Sequence, residues 1–393
     1  MAQQSDSSPS NPASVPSAEG LDGLLDATPG PLHPAAAETW RAAGRLAWAD
    51  PTARHAAGRR SRALLDRARA VLAEGLDVRP EEVTLHASGD QAARAALSGV
   101  SRGRRRRTGA PVASAVEHSG LLRWLRAGPT PPTEVAVTGK GAVDLAAWRT
   151  AMTGETPFAV LQSANHEVGT RQPLAAARAV AAEHGVPLVV DARGTVGREA
   201  PPTDYDVLVA ESALWGGPRL GVLVVRTGTR FVPHHPPSPH EGGYALDPVD
   251  VPTALAAAEA WQQAEASREE DGQVARDLVA RVRAAAAAID AVDVVGDPED
   301  RVPHICTFSI LYVDGETIVD ELARRGLAVG SGSACTADTL EPSHVLAAMG
   351  ALTQGNVRLV LPLGAVSPTR TEDVERLCTL LPEVVETCRR RLG

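Results

Sequence analysis

Lysine is almost absent from this 393-residue chain: of its 39 lysines and arginines, only Lys140 is a lysine. Any chemistry that needs a side-chain primary amine therefore has one residue to draw on. Cysteine is scarce too, at Cys306, Cys335, Cys378 and Cys388. Their spacing holds no CxxC pair and no metal-ligand pattern, so no metal site is expected. A reduced, cytoplasmic setting fits this usage. An excess of positive charge is missing as well. The net charge of −9 argues against nucleic acid as a partner. No apolar run is long enough to span a membrane. Residues 1–20 have neither a basic start nor an apolar stretch, so they are not expected to be a signal peptide. Rich in Ser, Pro and Ala, they are expected to form a disordered tail.

What is present is ordinary for a globular protein, 44% hydrophobic and 22% charged. The length allows one large domain and a smaller one. Short apolar runs at 82–86, 112–115, 158–162, 187–191, 207–210 and 221–225 read as strands. Ala/Arg-rich amphipathic stretches at 60–75, 91–100, 118–126 and 175–184 read as helices between them. This alternation predicts an α/β domain over 48–254, a mostly parallel central sheet with helices on both faces. A long helical stretch begins near residue 254. The remainder, with strands at 307–313 and 357–361 and a closing helix from 371, predicts a smaller α+β domain made of 21–47 and 255–393. Arg102 and the run Arg104 to Arg107 read first as a solvated loop and second as a patch for a partner.

The most informative segment is VGSGSACTADTLEPSHVLAAMG, Val329 to Gly350. Small residues around Cys335 make a polar, Gly-rich loop ahead of a helix. A core cysteine does not sit in such a setting, whereas a thiol that attacks in one place and delivers in another needs its mobility. Cys306 precedes a core strand, and Cys378 and Cys388 lie on the last helix, where burial makes thiols inert.

This loop closely resembles the cysteine-bearing loop, SSGSACT followed by LEPS, of the cysteine desulfurases, fold-type I pyridoxal phosphate proteins of the class V aminotransferase group. The resemblance runs from about Leu24 to Leu380. AVEHSGLL resembles the family's TEHKAVL, and implies that His118 stacks on the cofactor ring. LQSANHEVGT resembles VNNEIG, which keeps Asn165 and sets His166 where an asparagine meets the ring hydroxyl. PLVVDARGTVG resembles FHVDATQSVG, which implies that Asp191 holds the pyridinium nitrogen protonated and makes the ring an electron sink. NVRLVL implies that Arg358 grips the substrate carboxylate with its planar fork. Taken singly, His118 and Asp191 read equally well as caps at strand–helix turns, and Arg358 as a surface ion pair. In order along one pattern they support one another.

The resemblance breaks at the phosphate cup. The family's S-G-H-K-x-x-G-P segment corresponds to ESALWGGP, with Glu211 for the phosphate-binding serine, Ala213 for the histidine and Leu214, or Ala213 after a one-residue slip, for the Schiff-base lysine. SGDQA replaces SGATE, so that Asp90 and Gln91 enter a helix start that should welcome phosphate. Asp90 reads equally as a helix cap. Pro252 lies near the place of a threonine that reaches the partner subunit's phosphate. Pyridoxal phosphate is thus the cofactor implied by family, with no covalent attachment expected.

The function expected is that of a catalytically impaired cysteine desulfurase homologue. It would act in sulfur relay or as a scaffold or partner subunit, as a homodimer or as a heterodimer with an active desulfurase, with a sulfur-acceptor protein as a further partner. The alternative is an active desulfurase that binds the cofactor non-covalently and moves sulfur from L-cysteine to Cys335 as a persulfide, with His118 as base. A third reading is a binding module for a small uncharged ligand.

Overall fold

The computed structural model describes residues 21–331 and 342–392. The tail expected over residues 1–20, and Cys335, lie outside them. Seven strands form the main sheet: β1 (Val83–His86), β2 (Val112–Ser114), β3 (Thr133–Val135), β4 (Ala159–Gln162), β5 (Leu188–Asp191), β6 (Val207–Glu211) and β7 (Gly221–Val225). Their order is β1-β7-β6-β5-β4-β2-β3. From β6 to β3 every pairing is parallel, while β7 runs antiparallel to both its neighbours. The central strands are apolar up to their last residue, with both faces covered. In β5, Leu188 and Val190 pack into one core and Val189 into the other.

Among the described residues ten helices surround the sheets: α1 (Pro34–Leu46), α2 (Ala56–Gly75), α3 (Gly89–Gly103), α4 (Ser119–Arg126), α5 (Leu145–Ala151), α6 (Leu174–Glu183), α7 (Val251–Ala287), α8 (Gly315–Arg324), α9 (His344–Met349) and α10 (Arg370–Leu392). Helices α3 and α4 cover one face of the main sheet, and α2, α5, α6 and the first half of α7 cover the other. The short antiparallel sheet β10-β9-β8 is formed by β8 (Val292–Val294), β9 (Ile305–Ile310) and β10 (Asn356–Val360). It packs with α8, α10 and the second half of α7. Helix α7 therefore belongs to both cores: Ala254 and Trp261 pack in the first, Leu278 and Val282 in the second. Leu25, far away in sequence, joins the second core.

Helix starts follow the sequence closely. Ser88, Asp144, Asp250, Asp314 and Ser343 each accept a backbone N–H of the first turn, which satisfies donors the helix itself leaves free. The arginine run is partly structural rather than a free loop. Arg102 closes α3, Arg104 donates to the Gly185 carbonyl, and Arg107 donates to the carbonyls of Thr156 (2.9 Å) and His184 (3.1 Å) just beyond α6. Among the described residues no helix is long and apolar enough to cross a membrane.

Candidate functional site

Strands β1, β2, β4, β5 and β6 all run in the same direction, so their carboxyl ends converge on one edge of the sheet. That is the edge where open α/β sheets place ligands. Asp191 closes β5 there and is buried. Its carboxylate is taken on both oxygens by Arg193, with Nε to Oδ1 at 2.9 Å and Nη2 to Oδ2 at 2.7 Å, and the Arg193 backbone N–H adds a third contact at 3.1 Å. The remaining Nη1 donates to Asp90 Oδ1 at 2.6 Å, in the first turn of α3. Burial by itself would raise the Asp191 pKa, but the Arg193 charge and hydrogen bonds outweigh it and hold the carboxyl below the usual range.

Beside this pair, Glu211 ends β6 and accepts the Gly89 N–H on Oε1 at 3.3 Å. Gly89 opens α3, and space around it is tight. A methyl group added to its Cα would lie 2.7 Å from Arg193 Cδ and 3.0 Å from both Cβ and Oε2 of Glu211. Ser88, not Asp90, caps the helix, its hydroxyl accepting the Gln91 N–H.

The residues singled out in sequence converge only in part. His118 caps α4, with Nδ1 accepting the Gly120 N–H at 3.2 Å. The capping reading of that residue is thus realised in the geometry. Burial, and then the Arg193 charge, lower its pKa. Its ring lies 4.9 Å from that of His166, a half-buried residue whose Nδ1 is buried without a partner. Asn165 is fully committed to backbone. Its amide donates to the Val116 carbonyl at 3.1 Å, and its oxygen accepts the N–H groups of Glu167 and Val168, each at 2.9 Å. Arg358 is no surface ion pair: it is 4% exposed in β10, its Nε has no partner, and Asp26 Oδ1 lies 3.7 Å from Nη2. Cys335 lies outside the described residues. The segments on either side of it are anchored near this group, Gly330 by two backbone bonds to Arg358 and Ser343 by its hydroxyl to Glu167 Oε2 at 2.8 Å.

Ala213 and Leu214 sit in the 3-10 turn Ser212–Trp215 that follows β6. Lys140 is exposed and pairs with Asp297 at 3.2 Å. Among the described residues no cluster could hold a metal ion.

Sequence reasoning missed three residues here. Arg193 was legible as a departure, since the family segment DATQ has a threonine where DARG has arginine, but nothing in the spacing announced its partners. Glu117 is fully buried, accepts the Gln162 N–H at 2.9 Å, and leaves Oε2 unpartnered. Burial pushes its pKa up to about 8, and the Asp191 charge adds to the effect. Glu167, beside Ser343, is pushed up by burial to about 7.

Pyridoxal phosphate makes three demands on such a site, and the residues present do not meet them as they stand. The carboxylate for its ring nitrogen, Asp191, is saturated by Arg193. The helix-start N–H for its phosphate, at Gly89, is given to Glu211, and the contacts there leave less room than one methyl group requires. Ala213 and Leu214, which the resemblance sets where the family has its lysine, carry no amine.

Comparison with known proteins agrees with the fold and the order of these segments. The family model for aminotransferase class-V matches residues 47–238 and 247–377. An IscS-like cysteine desulfurase of Mycobacterium tuberculosis is 33% identical over 387 residues, covering 92% of this chain and 95% of that protein. A cysteine desulfurase IscS of Dictyoglomus turgidum is 28% identical, covering 86% of this chain and 88% of its own. Among solved structures, a NifS-like protein superposes with a TM-score of 0.82 at 20% identity, covering 91% of this chain and 97% of its own. The chain belongs to the class-V aminotransferase family, whose cofactor is pyridoxal phosphate, and is a cysteine desulfurase-like member of it.

Proposed function

We propose that this chain is a catalytically impaired cysteine desulfurase homologue that serves as a partner or relay subunit, without covalently held cofactor. The observation that carries the proposal is the residue pair Ala213 and Leu214 at the end of β6, in a chain whose one lysine lies exposed in an ion pair with Asp297. An aldehyde cofactor is held and its product released through a primary amine, and no side chain at that place supplies one. His118, Asp191 and Arg358 retain family identities, but Arg193 commits Asp191 to an ion pair and His118 to a cap-side cationic neighbour. Cys335, in the segment closest to the family pattern, is the thiol proposed to accept or pass on sulfur.

A partner role is supported by Trp40, Leu46 and Trp48, at 47%, 52% and 71% exposure on and just after α1. Large side chains grouped in this way are characteristic of protein–protein contacts. The proposed assembly is a homodimer, or a heterodimer with an active desulfurase, in the cytoplasm.

The test is direct. Purified protein given pyridoxal phosphate and L-cysteine is expected to develop no aldimine absorbance, to leave no borohydride-trapped adduct at 213 or 214, and to release neither alanine nor sulfide. Turnover of L-cysteine by the unmodified chain would overturn the proposal in favour of a desulfurase that holds its cofactor non-covalently.

A further inference from the structure

We infer that Arg193 and Glu211 are built-in occupants of the old ligand site, the guanidinium standing for a ring cation on Asp191 and the carboxylate standing for an anionic group at the start of α3. The inference rests on the membership and on the impaired reading above, but it makes a separate claim: the pocket is stable because it is filled from within.

The geometry is complete on both sides. Arg193 spends all three of its nitrogens, two on Asp191 and one on Asp90. Its planar fork matches the Asp191 carboxylate bidentately, as a single ring N–H could not. Glu211 then answers the free N–H of Gly89, the donor a bound anion would otherwise satisfy. The two substitutes meet beside Gly89, where the Arg193 and Glu211 side chains together occupy the place a Cβ would take. Asp90 and Asp191 hold the one guanidinium and Glu211 adds a third carboxylate at Gly89, so the site carries more negative than positive charge and repels a phosphate dianion. Each substitute needs the other. Arg193 alone would invite phosphate, and Glu211 alone would leave Asp191 buried and unpaired, a costly state.

Two measurements test this. In the first, the melting temperature of the full wild-type chain is followed with increasing inorganic phosphate and, separately, with pyridoxal phosphate. No specific rise is expected with either. In the second, the chemical unfolding of Arg193→Met, Asp191→Asn and the double variant is compared in a cycle. Arg193→Met is expected to lower the folded-to-unfolded ratio by roughly 100-fold, with Asp191→Asn restoring most of it, because the cost lies in the stranded carboxylate. A further double variant, Arg193→Thr with Glu211→Ser, is expected to gain the phosphate-dependent rise that wild type lacks.

A wild-type melting temperature that climbs with pyridoxal phosphate or phosphate overturns the inference, as does an Arg193→Met variant as stable as wild type. Should the variants not fold, the wild-type titration still decides. The two failures are distinguishable. A wild type that binds pyridoxal phosphate but leaves L-cysteine untouched sinks the internal occupants and spares the impaired reading, whereas turnover sinks the impaired reading.

Discussion

His118 and His166 face each other with ring centroids 4.9 Å apart and planes inclined at 51°. Both are held toward the neutral form, His118 by burial and the Arg193 charge, His166 by burial followed by the proximity of His118 and Arg358. Two rings this close cannot both take protons cheaply.

Acid should therefore loosen this part of the molecule. The folded His166 pKa lies well below 6.5, so below pH 6.5 the unfolded chain binds a proton that the folded chain refuses, and stability falls as pH falls. The cost is about 1.4 kcal/mol per pH unit per excluded histidine, or about 2 kcal/mol at pH 5. His304, buried without a partner on either ring nitrogen, adds a second such term. Because the buried Glu117 and Glu167 favour the folded chain as pH falls over the same range, the readout is a difference: between pH 7 and pH 5, denaturant titrations should show His166→Leu gaining on wild type by about the single-histidine amount. Equal changes in the two proteins would remove His166 from this account.

Glu117 works on the other side of neutrality. Its folded pKa of about 8 stands above the ordinary 4.5. The folded chain keeps a proton that the unfolded chain has given up, and stability declines as pH rises from the unfolded value through about 8. Above pH 6.5 the histidines no longer contribute, which leaves Glu117 and Glu167 to set the slope. Glu117→Gln keeps the shape and the acceptor for the Gln162 N–H, and it should flatten the decline between pH 6.5 and 8. The expected difference is about 2 kcal/mol, or roughly 2–3 °C in melting temperature for a chain of this length. A variant whose melting curve tracks wild type across that range would show that Glu117 does not titrate there.

Thiol labelling separates the cysteines. Cys306 is fully buried in β9 and pushed up to about 11, and burial raises Cys378 and Cys388 as well. The thiolate is the reacting form, so a brief treatment of native protein with iodoacetamide, read by peptide mapping, should modify Cys335 first. Preferential labelling of Cys306, Cys378 or Cys388 would contradict both the burial and the role given to the Cys335 loop.

Much of the fold was legible in the chain's local chemistry. Runs such as LVVD and VLVA are apolar on both sides of a strand, and only a covered parallel sheet accommodates them, so the central strands and the place of Asp191 at a strand end could be read directly. The helices between the strands were read from their amphipathic runs, and the Ser and Asp caps that start them in the structure act within three residues. Three readings depended on more than spacing. Asp90 was readable as a cap, yet Ser88 takes that duty and frees Asp90 for Arg193. Arg358 was readable as a surface ion, yet β9 and the chain around Asp26 enclose it. The arginine run was readable as a free loop, yet Arg104 and Arg107 tie down the end of α6.

The sequence by itself determined the family, the order of the strands along the chain and the absence of an amine at 213 and 214, since these reside in residue identity and local pattern. Only the tertiary structure decided what fills the site. Arg193 stands two residues from Asp191, but its other partner, Asp90, is 103 residues away, and Glu211 reaches Gly89 across 122. Those meetings follow from a sheet order in which the ends of β1, β5 and β6 share one edge, and strand order is set by the packing of whole faces rather than by any local motif.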